Sequence, residues 1–210
     1  MSAGLPVSRV AARARLEGDR STAVFRVLLD TLARPGRVGH LPAGCVVEGL
    51  PPALSLPLAL ADLGCGFWIH GLDDEPRRKY LTDVVRSTTG ARLVPPDEAN
   101  VVVSLDSDPS VLYRLRPGTP EAPESAARLA VQVDQLDRGE PVLLRGPGVA
   151  GACIVRVGLG RSFVEGLQHR NQPPVGIDTW VFDRQGRVVA LPRSTRLALA
   201  CADTGEEEEC

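Results

Sequence analysis

The stretch best suited to holding an anion is Leu144-Arg145-Gly146-Pro147-Gly148, where an apolar run leads into glycines that can turn backbone N–H groups toward a negative charge. Neither G-x-G-x-x-G nor G-x-x-x-x-G-K-[ST] is present, and Pro147 removes one donor from such a nest, so a tight turn between two strands is the simpler reading. Arg145 would add a charge for phosphate. Asp178 and Arg193 lie near the open end of a hairpin, where strict alternation points them to opposite faces and no ion pair is assumed. Pro192 ends the pairing and lets Arg193 turn outward, toward a protein interface or a backbone carbonyl. Arg145, Asp178 and Arg193 are therefore the candidate interface or anion contacts, and no residue is assigned to catalysis, a cofactor or a metal.

Other chemistry is thinly represented. His40, His70 and His169 are far apart and lack spaced partners, which fits surface or core histidines better than metal ligands. There is no G-x-S-x-G elbow. Asp73, Asp74 and Glu75 precede Arg77, Arg78 and Lys79, a pattern expected of a solvated helix entry with local charge pairing. The cysteines Cys45, Cys65, Cys153, Cys201 and Cys210 are odd in number and show no C-x-x-C spacing, so free thiols in a reducing cytoplasm are expected.

The elements that position these residues alternate in type. Val24, Phe25, Leu28, Leu29 and Leu32 recur at helical spacing behind a Ser21 or Thr22 cap, and Pro35-Gly36 closes that helix. Short apolar runs at Val46-Val47, Phe67 to Ile69, Val101 to Leu105, Leu129 to Val133, Val142 to Leu144 and Ile154 to Val157 read as strands. Helical patterns at Tyr80 to Arg86 and Phe163 to Gln168 lie between them. Asp183-Arg184-Gln185-Gly186 predicts a hairpin turn that pairs Phe182 with Val188 and Trp180 with Ala190 on one face, leaving Val181, Val189 and Leu191 on the other. Both faces are apolar, as in strands covered on two sides. The expected fold is an α/β three-layer sandwich with a mixed sheet. A flexible arm or weak helix is expected at 1–20, one domain at 21–202 and an acidic tail at 203–210.

With 24% charged and 43% hydrophobic residues in 210, the chain suits one globular core. A net charge of −2 provides no field for nucleic acid or an anionic membrane. The apolar run from Ala53 to Leu63 is too short to span a bilayer and is broken by Pro57.

Several short stretches form a recognisable series. They are Phe25-Arg26-x-Leu28-Leu29, Arg34-Pro35-Gly36, Thr89-Gly90-Ala91, Gly118-Thr119 ahead of Pro123-Glu124-Ser125-Ala126, and Leu144 to Val149. Pro174-Val175-Gly176-Ile177-Asp178 and Leu191-Pro192-Arg193-Ser194-Thr195 complete it. From about Ser21 to Arg196 their order and spacing resemble the H subunit of bacterial carbon-phosphorus lyase. Val175 stands where leucine is common and Ser194 where threonine is common. The resemblance implies a cytoplasmic, homodimer-forming, non-catalytic subunit that joins the G, I and J subunits and acts with the L protein in phosphonate catabolism. It also implies a fold like that of pyridoxal-phosphate-dependent transferases, without the cofactor, and no catalytic residue to carry over.

Two other readings compete: a stand-alone phosphate or nucleotide binder built on Arg145 and Arg193, and an enzyme using pyridoxal phosphate. The second requires a primary amine, and Lys79 is the single lysine among the 24 Lys and Arg residues. Pyridoxal phosphate added to the purified protein is expected to give no visible imine band; a band that disappears in Lys79→Ala would overturn this.

Overall fold

The computed structural model describes residues 6–16 and 18–200. In chain order its elements are α1 (Val7–Ala14), α2 (Asp19–Ala33), β1 (Gly39–His40), α3 (Ser55–Leu60), β2 (Gly66–His70), α4 (Glu75–Thr89), β3 (Arg92–Leu93), β4 (Val101–Ser104), α5 (Ser110–Arg114), β5 (Arg128–Gln132), β6 (Pro141–Arg145), β7 (Cys153–Arg156), α6 (Arg161–Arg170), β8 (Asp178–Phe182), β9 (Arg187–Leu191) and β10 (Arg196–Leu199). Single 3-10 turns at Pro52–Leu54 and Pro123–Ser125 lead into α3 and β5.

The main sheet has the order β1-β9-β8-β5-β4-β2-β3. Its central strands run parallel, and β9 and β1 are antiparallel at one end, so the sheet is mixed. Val101, Val102 and Val103 of β4 are all buried, because a parallel strand with layers on both faces has no solvent side. Phe67, Ile69, Val101, Val103, Trp180 and Phe182 pack with residues of α1 to α4 on one face. Val102, Leu129, Val131, Val181 and Val189 meet α5, α6 and a second antiparallel sheet, β10-β6-β7, on the other. The hairpin has the expected register, Phe182 opposite Val188 and Trp180 opposite Ala190, with Gly186 at φ 79° in its turn.

Local chemistry explains the element ends. Asp74 caps α4 by accepting from the Arg77 N–H, and Gly90, at φ 77°, closes the helix in the left-handed conformation. β3 stops after two residues because Pro95 and Pro96 follow it. In the ladder, Arg92 N–H donates to Cys65 and Val94 N–H to Phe67; the next donor in register is Pro96, which has no N–H.

Four expectations are corrected. Val46-Val47 is not a strand but lies in turns between Gly44 and Gly49, both at positive φ, which leave no extended partner for so short a run. Residue 19, not 21 or 22, starts the second helix; Gly18 takes the cap position, and the Thr22 hydroxyl donates back to the Gly18 carbonyl instead. Of the flexible arm or weak helix expected at the start, the arm gives way to the helix: α1 buries Val10, Ala11 and Ala14 and packs on α4. Cys45 and Cys65 are free thiols, but Cys153 is disulfide-bonded, so the expectation of free thiols fails there. The acidic tail at 203–210 lies outside the described residues.

Trp180 joins a layer to the sheet: it is 3% exposed, and its indole N–H donates to the Leu28 carbonyl at 3.0 Å. Trp180→Ala would open a cavity and remove one donor from that carbonyl, which keeps the Thr31 hydroxyl. A loss of about 3 to 5 kcal/mol in urea unfolding is expected.

Candidate functional site

The residues singled out in the sequence converge at one end of the molecule. Because β9 stops at Leu191 and Pro192 follows, the alternation used for the hairpin does not reach Arg193. Its N–H donates to Asp178 Oδ1 at 2.9 Å, its Nε stands 3.9 Å from Asp178 Oδ2, and its guanidinium donates to the Pro123 carbonyl at 2.5 Å. The side chain is therefore held inside the fold, 24% exposed, and ties the 123–125 turn to the hairpin base.

Neighbouring motifs lock into the same region. Asn171 accepts from Ile177 N–H through Oδ1 and donates to the Ile177 carbonyl, and Gly176 N–H donates to Pro117. Gly146 packs against the Ser194 carbonyl, and Gly148 sits so close to the Ala33 carbonyl that a side chain there would collide with backbone. Arg145 is exposed and stands directly opposite Arg196 in the β6–β10 ladder. Thr195 Oγ1, next to this pair, is buried without a hydrogen-bond partner.

A different constellation, missed in the sequence, lies at the other end. His70 closes β2, and Asp106 and Asp108 follow β4, the parallel neighbour of β2. His70 Nε2 is buried without a hydrogen-bond partner, 3.9 Å from Asp106 Oδ1 and 3.7 Å from Asp108 Oδ2. Asp106 Oδ1 accepts from the Ser104 hydroxyl and Asp108 N–H. The Asp108 carboxyl is held below the ordinary range, first by the Ser110 hydroxyl and backbone N–H and to a smaller degree by His70. These groups border a cleft of about 960 Å³ that Trp68, Thr82 and Arg114 also line. The Arg114 guanidinium lies 4.5 Å from the Trp68 ring centroid. Signals for this site were present in the sequence: a histidine ending one apolar run and two aspartates just after the next. In open α/β sheets, ligands gather beyond the carboxyl ends of such strands.

Lys79 also reaches this cleft, but its Nζ donates to Asp83 at 2.6 Å on an exposed side chain. An exposed, ion-paired lysine lacks the apolar pocket that activates an amine for Schiff-base chemistry. Among the described residues, no group of three or more His, Cys, Asp or Glu is placed to hold a metal ion.

Comparison with known proteins sets this geometry in context. Residues 16–198 match the family model described as bacterial phosphonate metabolism protein (PhnH). The chain is 30% identical over 186 residues to the alpha-D-ribose 1-methylphosphonate 5-triphosphate synthase subunit PhnH of Rhizobium meliloti (strain 1021), covering 83% of this chain and 88% of that relative. The chain belongs to the PhnH family. The matched region runs from the residues before α2 nearly to the end of β10, so α1 alone among the described helices precedes it. Both ends of the sheet, the hairpin base and the His70 cleft, thus fall within the PhnH match.

Arg193→Ala removes a charge-assisted hydrogen bond and leaves the Pro123 carbonyl with the Ala126 N–H, at 3.3 Å, as its remaining donor, so the isolated protein is expected to stay folded but lose about 1 to 3 kcal/mol in urea unfolding. Unchanged stability would show that the guanidinium does not hold the 123–125 turn.

Proposed function

We propose that this chain is a non-catalytic subunit of an α-D-ribose 1-methylphosphonate 5-triphosphate synthase in the carbon-phosphorus lyase system. Its carrying observation is the match to a relative named as such a subunit, extending over most of both chains. Its place is with the G, I and J subunits, acting with the L protein in phosphonate catabolism, as a homodimer in the cytoplasm. Among the described residues, no helix is long and apolar enough to cross a membrane. The working unit is the α/β domain at 21–202, joined by α1, on a fold related to pyridoxal-phosphate-dependent transferases but without the cofactor.

The hairpin base and the adjoining small sheet form the proposed docking surface. Arg145 and Arg196 face each other across one strand pair, an arrangement that costs free energy while both charges stand unneutralised. An acidic partner surface relieves that repulsion and gains charge-assisted hydrogen bonds. Arg193 and Asp178 act behind it by fixing the loop that carries Ser194 and Thr195.

Co-expression with the G, I and J proteins followed by size-exclusion chromatography tests the assignment: the wild-type chain is expected to co-elute with them. A double change, Arg145→Glu with Arg196→Glu, is expected to release the chain while leaving its unfolding midpoint nearly unchanged. Elution of the wild-type chain alone would refute membership of the complex, and retention of the double variant would remove this surface from the interface.

A further inference from the structure

The cleft beside His70 lies where the sheet changes direction. The chain leaves β2 through α4 to β3 on one side, then returns past β2 to β4, and α4 and α5 cover opposite faces. Such a switch point leaves the carboxyl ends of two adjacent strands uncovered by either crossover.

Pro95-Pro96 adds a second opening. Pairing of β2 with β3 ends at Phe67 opposite Leu93, while β2 continues through His70. The Asn100 and Leu105 N–H groups donate to Gly66 and His70, so carbonyls at even positions of β2 face β4. Alternation then directs the N–H and C=O of Ile69 to the vacant edge, at the wall of the cleft. One residue of free edge is too short to template an added strand, which needs several successive pairs. It does match the rim of a planar heterocycle carrying a donor next to an acceptor.

The rest of the cleft suits the remainder of a nucleoside. The Trp68 ring stacked with Arg114 provides a flat wall. His70 Nε2 has no partner, and Asp106 engages only Oδ1 internally, leaving Oδ2 to accept from a hydroxyl. Phosphate is poorly served: Arg78 is paired with Glu75 and Lys79 with Asp83, leaving Arg86 and Arg114 against Asp73, Asp106 and Asp108. The positive end of α4 is already capped by Asp74.

We infer that this cleft binds a nucleoside without phosphates, its base edge on the Ile69 peptide and its sugar hydroxyls on Asp106, Asp108 and His70. The inference is independent of the subunit assignment above.

Titration of the full-length chain with adenosine, ATP and N6,N6-dimethyladenosine, followed by calorimetry and by amide resonances in 15N-labelled protein, is the test. Adenosine is expected to bind with a dissociation constant below about 1 mM and to shift the Ile69 amide resonance, with ATP at least about tenfold weaker. The dimethylated analogue, which lacks the donor, should leave that resonance in place. Asp106→Asn combined with Asp108→Asn should weaken adenosine by about tenfold while preserving the amide spectrum of the fold. Absence of adenosine binding, equal or tighter binding of ATP, an unmoved Ile69 resonance at saturation, or full affinity in the double variant would each overturn the proposal.

Discussion

A sheet that is apolar on both faces cannot stand in water until both are covered, and this requirement shapes the rest of the molecule. Val101 to Val103 and the hairpin strands send large side chains alternately to each side. Four helices cover one face; α5, α6 and a small antiparallel sheet cover the other. The two coverings also meet around the sheet: α2 leaves through Arg34-Pro35-Gly36, whose glycine lies against Leu144, Val155 and Cys153 of the small sheet, while Gly148 packs on the Ala33 carbonyl. Side chains at these two glycines would separate the layers at that end.

The two ends of the sheet use their polar groups differently. At the hairpin base, Asn171, Asp178 and Arg193 mostly satisfy backbone groups of loops that have no ladder of their own. Their side chains take the place of secondary structure there. Beside His70 the balance is reversed, with a buried ring nitrogen left without a partner and a stretch of β2 that β3 does not pair. Groups left in that state favour a polar visitor or water, since neither is offered by the protein itself.

The sequence disclosed what local chemistry determines and concealed what depends on distant chain segments. The 183–186 turn set the hairpin register because its residues fix backbone conformation and side-chain period together. Most of the parallel strands stood out as apolar runs. α1 did not, although Val7, Val10, Ala11 and Ala14 recur at helical spacing, since these side chains are small and their burial comes from packing on α4. Pro192 was legible as the end of the pairing and a backbone carbonyl as one partner for Arg193, but that the carbonyl is Pro123 and the side chain turns into the fold was not. His70 meets Asp106 and Asp108 only because β2 and β4 are neighbours in the sheet, and nothing local to either run specifies that. The bond from Arg193 to Pro123 likewise joins residues far apart in the chain.

Both borders of the main sheet are two-residue strands followed closely by proline, β1 by Pro42 and β3 by Pro95. A sheet bounded in this way offers almost no run of vacant peptide groups to a neighbouring molecule. Lateral fusion, the route by which exposed borders seed fibres, is therefore closed at both sides of the main sheet, and only the small sheet ends in longer strands, β10 and β7. Along the main sheet, copies and partners must recognise one another through side chains, whose identity can be specific, because there the backbone, which every protein shares, has been withdrawn from contact.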